Sequence, residues 1–195
     1  MNFQQHRIIN NASWIVGIKI VQAVLGLIIT MITARYFGPS NYGVLNYAAA
    51  LVAFVTPVMR LGLPEILVQE FVDRDDQDGA ILGTSFVLNM VSALGCIVSL
   101  YLFVSVVNGS EPTAIWICCL YSLLLLVQAT EVFQYWFQAE LKSKYVSLTA
   151  LAAYILVSVY KIYLLASGQS IYWFALSNTL DYLVIGIVLF FIYKN

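Results

Sequence analysis

The chain has 195 residues, 62% of them hydrophobic and only 10% charged, and its formal net charge is -1. Soluble domains run at roughly 45–50% apolar and about 25% charged, so this composition, with a mean hydropathy of +0.87, excludes a soluble domain and points to a membrane protein. The balanced charge excludes a basic surface for nucleic acid. Cys96, Cys118 and Cys119 sit inside apolar stretches without C-x-x-C or Cys/His spacing, so no metal or cofactor is expected.

A hydrocarbon core about 30 Å thick needs roughly 20 residues of helix, and about six stretches reach that length. The leader MNFQQHRIINN carries a lone His6, expected to face solvent. The apolar run after it exceeds the roughly 7–15 residues of a cleavable signal core, so residues 14–34 read as a retained first span. The stretch RYFGPSN at 35–41 then reads as a tight turn, with Gly38 and Pro39 supplying its geometry, and residues 42–61 form the second span. The connection 62–79 carries Glu65, Glu70, Asp73, Asp75, Asp76 and Asp78 and reads as a solvated cytoplasmic loop with a short helical start. Further spans follow near 80–107, 114–138, 146–166 and 171–192. Strand alternation is absent and backbone in lipid must satisfy its own hydrogen bonds, so the expected fold is an all-α transmembrane bundle forming a single domain over 1–195.

Trp14, Trp116, Trp136 and Trp173 all fall near span ends, as expected of an aromatic belt. Arg7, Arg60, Arg74, Lys142, Lys144 and Lys194 collect on one side of these spans, with Arg35 alone on the other. Short cytoplasmic segments carry the Lys and Arg excess, so both termini are expected in the cytoplasm and the 35–41 turn outside it.

Polar residues recur on single helix faces. Lys19, Gln22, Gly26, Thr30 and Thr33 fall within about 80° of one another on the first span, and Asn46, Ala50, Ala53, Pro57 and Arg60 do so on the second. Gln128, Glu131, Gln134, Tyr135 and Gln138 share a face of the fourth span, and Ser147, Tyr154, Ser158 and Lys161 one of the fifth. The sixth span contributes Ser177, Asn178 and Asp181. The third has only Ser85, Asn89, Ser92, Cys96 and Ser99, a pattern that plain packing explains. Ionisable groups at membrane depth cost about 2.5–3.5 kcal/mol and normally turn toward the bundle interior or a water-filled cavity. Asp181, near mid-span, and Glu131 are therefore candidate interior or ion-coupling groups, with Gln128 and Gln22 as their polar neighbours. Lys19, Arg60 and Lys161 either face such a cavity or snorkel to an interface. No His pair, G-x-S-x-G, H-E-x-x-H or P-loop accompanies them, so a passage for a polar substrate is expected rather than an enzyme.

Asn11 and Trp14 in the leader, ARYFGPSNYGVLNYAAA at 34–50 and RLGLPEILVQEF at 60–71 resemble the opening of lipid-linked oligosaccharide flippases. These are the Wzx-type polysaccharide biosynthesis proteins, which share a superfamily with multidrug extruders. The pattern A-R-x-x-G-P-x-x-Y-G falls on Ala34, Arg35, Gly38, Pro39, Tyr42 and Gly43. The resemblance implies translocation of undecaprenyl-diphosphate-linked repeat units across the bacterial inner membrane for surface polysaccharide such as O-antigen or capsule. It also implies alternating access, with Lys19 and Arg60, and more weakly Lys161, meeting the diphosphate. Family members have about twelve spans in two lobes, so the chain resembles the first lobe alone. Expected partners are the lipid-linked oligosaccharide, membrane lipids, a second six-helix lobe, and polymerase or glycosyltransferases. The alternatives are a multidrug extruder and a non-transporting subunit of a glycan-assembly complex.

Overall fold

The computed structural model describes residues 3–73, 78–109, 111–140 and 143–194, with side chains over 16–73, 78–109, 111–140 and 144–193. Arg74, Asp75, Asp76 and Lys142, and the side chains of His6, Arg7, Trp14 and Lys194, lie outside the described residues, so the charge count that sets orientation is not read from them. Among the described residues there is no strand. The elements are α1 (Phe3–Arg60), α2 (Leu63–Asp73), α3 (Asp78–Val107), α4 (Pro112–Gln128), a single 3-10 turn (Ala129–Glu131), α5 (Val132–Ala139), α6 (Ser143–Ala166) and α7 (Ile171–Lys194). Among the described residues five helical stretches are long and apolar enough to cross a membrane, with α1 through α2 and α4 through α5 each counting as one.

Helix α1 has 58 residues, about 87 Å at 1.5 Å per residue, far more than one crossing needs. It breaks at Gly38, whose φ of 72° and ψ of 172° lie in a region essentially confined to glycine. Pro39 follows as the first residue of the second arm, where its fixed φ and missing N–H suit a helix start. Asn41 Nδ2 donates to the Phe37 carbonyl at 3.3 Å. Ile29 and Leu45 line one cavity, although they would stand about 24 Å apart on a straight helix, so the chain reverses at Gly38 into a helical hairpin. The reversal is tighter than the seven-residue turn expected at 35–41, because helix continues to Phe37 and resumes at Pro39.

Two further expectations are corrected. Residues 62–79 are not mainly loop: α2 occupies most of them, because Leu63, Leu67 and Phe71 recur at helical spacing and pack with Leu82 and Val132. The fourth crossing is not one regular helix either. It changes to a 3-10 turn at Ala129–Glu131, where Thr130 Oγ1 donates to the Val127 carbonyl at 2.7 Å. The turn lies hard against α7, since a Cβ on Gly186 would collide with Thr130 Oγ1.

Helix α4 is central, packing on α7, α3 and α1, while α6 joins α7 and α1. In lipid no hydrophobic force drives one helix onto another, so association depends on close approach and van der Waals contact. Ala48, Ala93, Ala129 and Ala175 accordingly lie at helix contacts with no exposed surface. Tyr47 ties the second arm of α1 to the end of α3 by donating to Asn108 Oδ1 at 3.0 Å. Helix α6 ends in a Schellman turn, with Gln169 N–H bonded to the Leu164 carbonyl, Gly168 N–H to that of Leu165, and Gly168 at φ 68°. Such a pair satisfies carbonyls that a helix end leaves open. Large apolar side chains such as Val16, Val24, Met31, Phe54, Val91 and Phe103 point outward, and Trp116 and Trp173 do so near helix ends. A surface of this kind suits hydrocarbon rather than water.

Candidate functional site

Two polar centres lie within the bundle. The first gathers where the second arm of α1 ends beside the 3-10 turn. Arg60 Nη2 meets Glu131 Oε2 at 2.6 Å, with the side chains 35% and 11% exposed. Arg60 falls in the last turn of α1, where a cation also complements the helix dipole. The Tyr135 hydroxyl donates to Glu131 Oε2 at 3.5 Å, and Tyr182 stands beside Gln128. Thr56 Oγ1 donates to the Val52 carbonyl at 2.7 Å and lies 3.5 Å from Gln128 Oε1. The 3-10 turn brings Gln128 and Glu131 nearly into line, since residues three apart eclipse in that geometry, and both are buried. Arg60 Nε is buried without a hydrogen-bond partner among the described residues.

The second centre is built by α6 and α7 against the first arm of α1. Lys161 Nζ donates to Asn178 Oδ1 at 2.6 Å and sits 5.6 Å from the centroid of the Phe174 ring, within cation–π range. Asp181, one helical turn beyond Asn178, is within electrostatic reach of Lys161 and of Lys19, and also of Tyr154. Its Oδ1 is buried without a hydrogen-bond partner. Gln22 Nε2 donates to the Ala150 carbonyl at 3.2 Å, joining α1 to α6. Tyr154 enters beside Gly26, where a Cβ would lie 2.7 Å from its hydroxyl.

A cavity of about 140 Å³ opens beside Lys161 and Asn178, with Thr30, Asn46, Tyr42 and Tyr121 among its lining residues. Among the described residues no carboxylate lines it, and Lys161 is its one cation. The space is enough for about four or five waters at roughly 30 Å³ each. A larger recess of about 620 Å³ between α3, α4 and α7 is walled by Phe86, Met90, Phe133, Ile187 and Phe190. Among the described residues no ionisable side chain lines that recess, so its shape suits hydrocarbon and the polar chemistry lies elsewhere.

The structure thus brings Arg60, Glu131 and Gln128 into one centre and Lys161, Asp181 and Gln22 into the other or its edge. Lys19 is exposed and touches the second centre only through its charge on Asp181. Tyr182, Tyr121, Thr56 and Phe174 were not among the residues expected at a site. A signal existed for two of them. Tyr182 stands one turn from Asn178, and Tyr121 stands two turns from Gln128 on the same face.

Apolar helices with an outward hydrocarbon surface and inward polar centres define a multi-pass α-helical membrane protein. This chain belongs to the polysaccharide biosynthesis protein family, whose profile matches residues 8–195. That membership supports a role in polysaccharide synthesis or export. No curated protein and no solved structure matches the chain.

Proposed function

We propose that the chain is a lipid-linked oligosaccharide flippase, or the N-terminal lobe of one. In this reading it turns undecaprenyl-diphosphate-linked repeat units from the cytoplasmic to the outer leaflet of a bacterial inner membrane. It changes no covalent bond in its substrate. A second six-helix lobe closes the cleft, and polymerase and glycosyltransferases supply and consume the repeat unit. The observation that carries the reading is a hydroxyl- and amide-lined cavity holding one lysine, built between the membrane-crossing helices of a polysaccharide biosynthesis protein.

A diphosphate leaving water needs fixed cations and hydrogen-bond donors in place of its hydration. With both termini in the cytoplasm, Lys19 and Arg60 stand toward the entrance and Lys161 toward the far side. The Arg60 side chain remains 35% exposed besides its bond to Glu131, and Lys161 has two N–H groups beyond the one given to Asn178. The test is surface glycan in a strain lacking its flippase, complemented by each variant together with the second lobe at matched membrane level. Lys19→Gln is expected to lower export more than Lys19→Arg, since only the first removes the charge. Parental export by both Lys19→Gln and Lys161→Gln would overturn the assignment. Ser40→Cys labelled only from the cytoplasm would overturn the topology.

A further inference from the structure

The environment of the Lys161 ammonium has the chemistry of a cation site. Asn178 Oδ1 contacts it at 2.6 Å, the π face of Phe174 stands at 5.6 Å, and Asp181 lies one helical turn beyond Asn178. Oxygen acceptors, an aromatic face and a nearby carboxylate are what a free monovalent cation would seek. One helical turn further along α7, Asp181 Oδ1 is buried and lacks a hydrogen-bond donor among the described residues. The first centre repeats the arrangement, since Glu131 also faces a cation of the chain itself, the Arg60 guanidinium.

We propose that Asn178 and Phe174 form a monovalent-cation position that the chain occupies permanently with its own Lys161 ammonium, so that this bundle binds no free sodium or potassium there. The inference does not depend on the flippase reading. A tethered cation cannot be diluted away, and the adjoining cavity therefore keeps its positive charge at any external salt composition. Removing the side chain beyond Cβ leaves the acceptors in place and opens the position to a small free cation. Filling it with an uncharged chain of similar length does not.

The experiment is thermal unfolding of the full chain in detergent, at constant ionic strength, in N-methylglucammonium, sodium, potassium or n-propylammonium chloride. The parent should melt at the same temperature in all four salts. Lys161→Ala should melt lower than the parent in N-methylglucammonium and recover by about 2–4 °C, the shift of about 1 kcal/mol for a chain of this size, with sodium or n-propylammonium. Lys161→Met should show no such recovery, and Asn178→Leu combined with Lys161→Ala should abolish it. Sodium- or potassium-specific stabilisation of the parent overturns the proposal without reference to any variant. So does a Lys161→Ala protein that is indifferent to all four cations, or a recovery that persists without Asn178.

Discussion

Replacing either partner of the Arg60–Glu131 pair should be unequal in cost, and the inequality follows from where each charge lies. Breaking a fully buried ion pair costs about 3–5 kcal/mol because one charge is stranded, whereas an exposed pair is worth about 0–1 kcal/mol. Here the carboxylate side is 11% exposed and the guanidinium side 35%. Arg60→Gln strands the more buried member, and Tyr135 alone remains to solvate it; the cost lies between the two limits, about 2 kcal/mol. Glu131→Gln strands a guanidinium that already reaches solvent, and about 1 kcal/mol is expected. The double Gln variant should be less damaged than the sum, with a coupling of at least about 0.5 kcal/mol. The assay is reversible unfolding of the four proteins in mixed micelles, with glycan export measured alongside. If Arg60 also meets substrate, Glu131→Gln keeps export while Arg60→Gln loses it. Equal single costs, or strict additivity, would refute the argument that burial and pairing set these energies.

Gly38→Ala should destabilise the hairpin by about 1–3 kcal/mol, since φ 72° and ψ 172° suit glycine almost alone; an unchanged melting temperature would mean that the turn relaxes freely. Gly26→Ala should change sign with its neighbour. In the parent its Cβ meets the Tyr154 hydroxyl at 2.7 Å and costs about 1 kcal/mol, but beside Tyr154→Phe the nearest atom is the ring carbon at 3.9 Å and the better helix former gains up to about 1 kcal/mol. Melting temperatures of the four proteins measure it, and the same sign in both backgrounds sinks the reading. Gly186→Ala should cost about 1–3 kcal/mol, and Thr130→Ala should restore only part, because the Thr130 β-carbon at 2.9 Å remains; full restoration would locate the strain in the hydroxyl alone.

Hydropathy made the helices legible, because a chain crossing lipid must write about 20 apolar residues for every passage. The Gly-Pro pair made the first reversal legible as well, through the dihedral demands of those two residue types. The interruption at Ala129–Glu131 was not legible. Its sequence, A-T-E, contains no helix breaker, and its geometry accompanies a close contact with Gly186, far along the chain. Polar stripes showed that Arg60, Glu131, Lys161, Asn178 and Asp181 turn to one side of their helices. They could not show that Arg60 takes Glu131 and Lys161 takes Asn178, since pairing depends on the relative height and rotation of packed helices. Lys19 marks the limit of the helical wheel: Thr33 on the same stripe is buried and Lys19 is exposed. A wheel records direction around one axis and not how far neighbouring helices extend alongside it.

The three-residue 3-10 segment between α4 and α5 has a mechanical consequence. A 3-10 helix rises about 2.0 Å and turns about 120° per residue, against about 1.5 Å and 100° in an α-helix. Converting Ala129–Glu131 to α geometry would draw α5 inward by about 1.5 Å and rotate it by about 60°. Glu131 would swing with it, away from Arg60, and α2, which packs on α5, would be carried along. Gly186 stands against Thr130 as the stop that such a screw motion must clear.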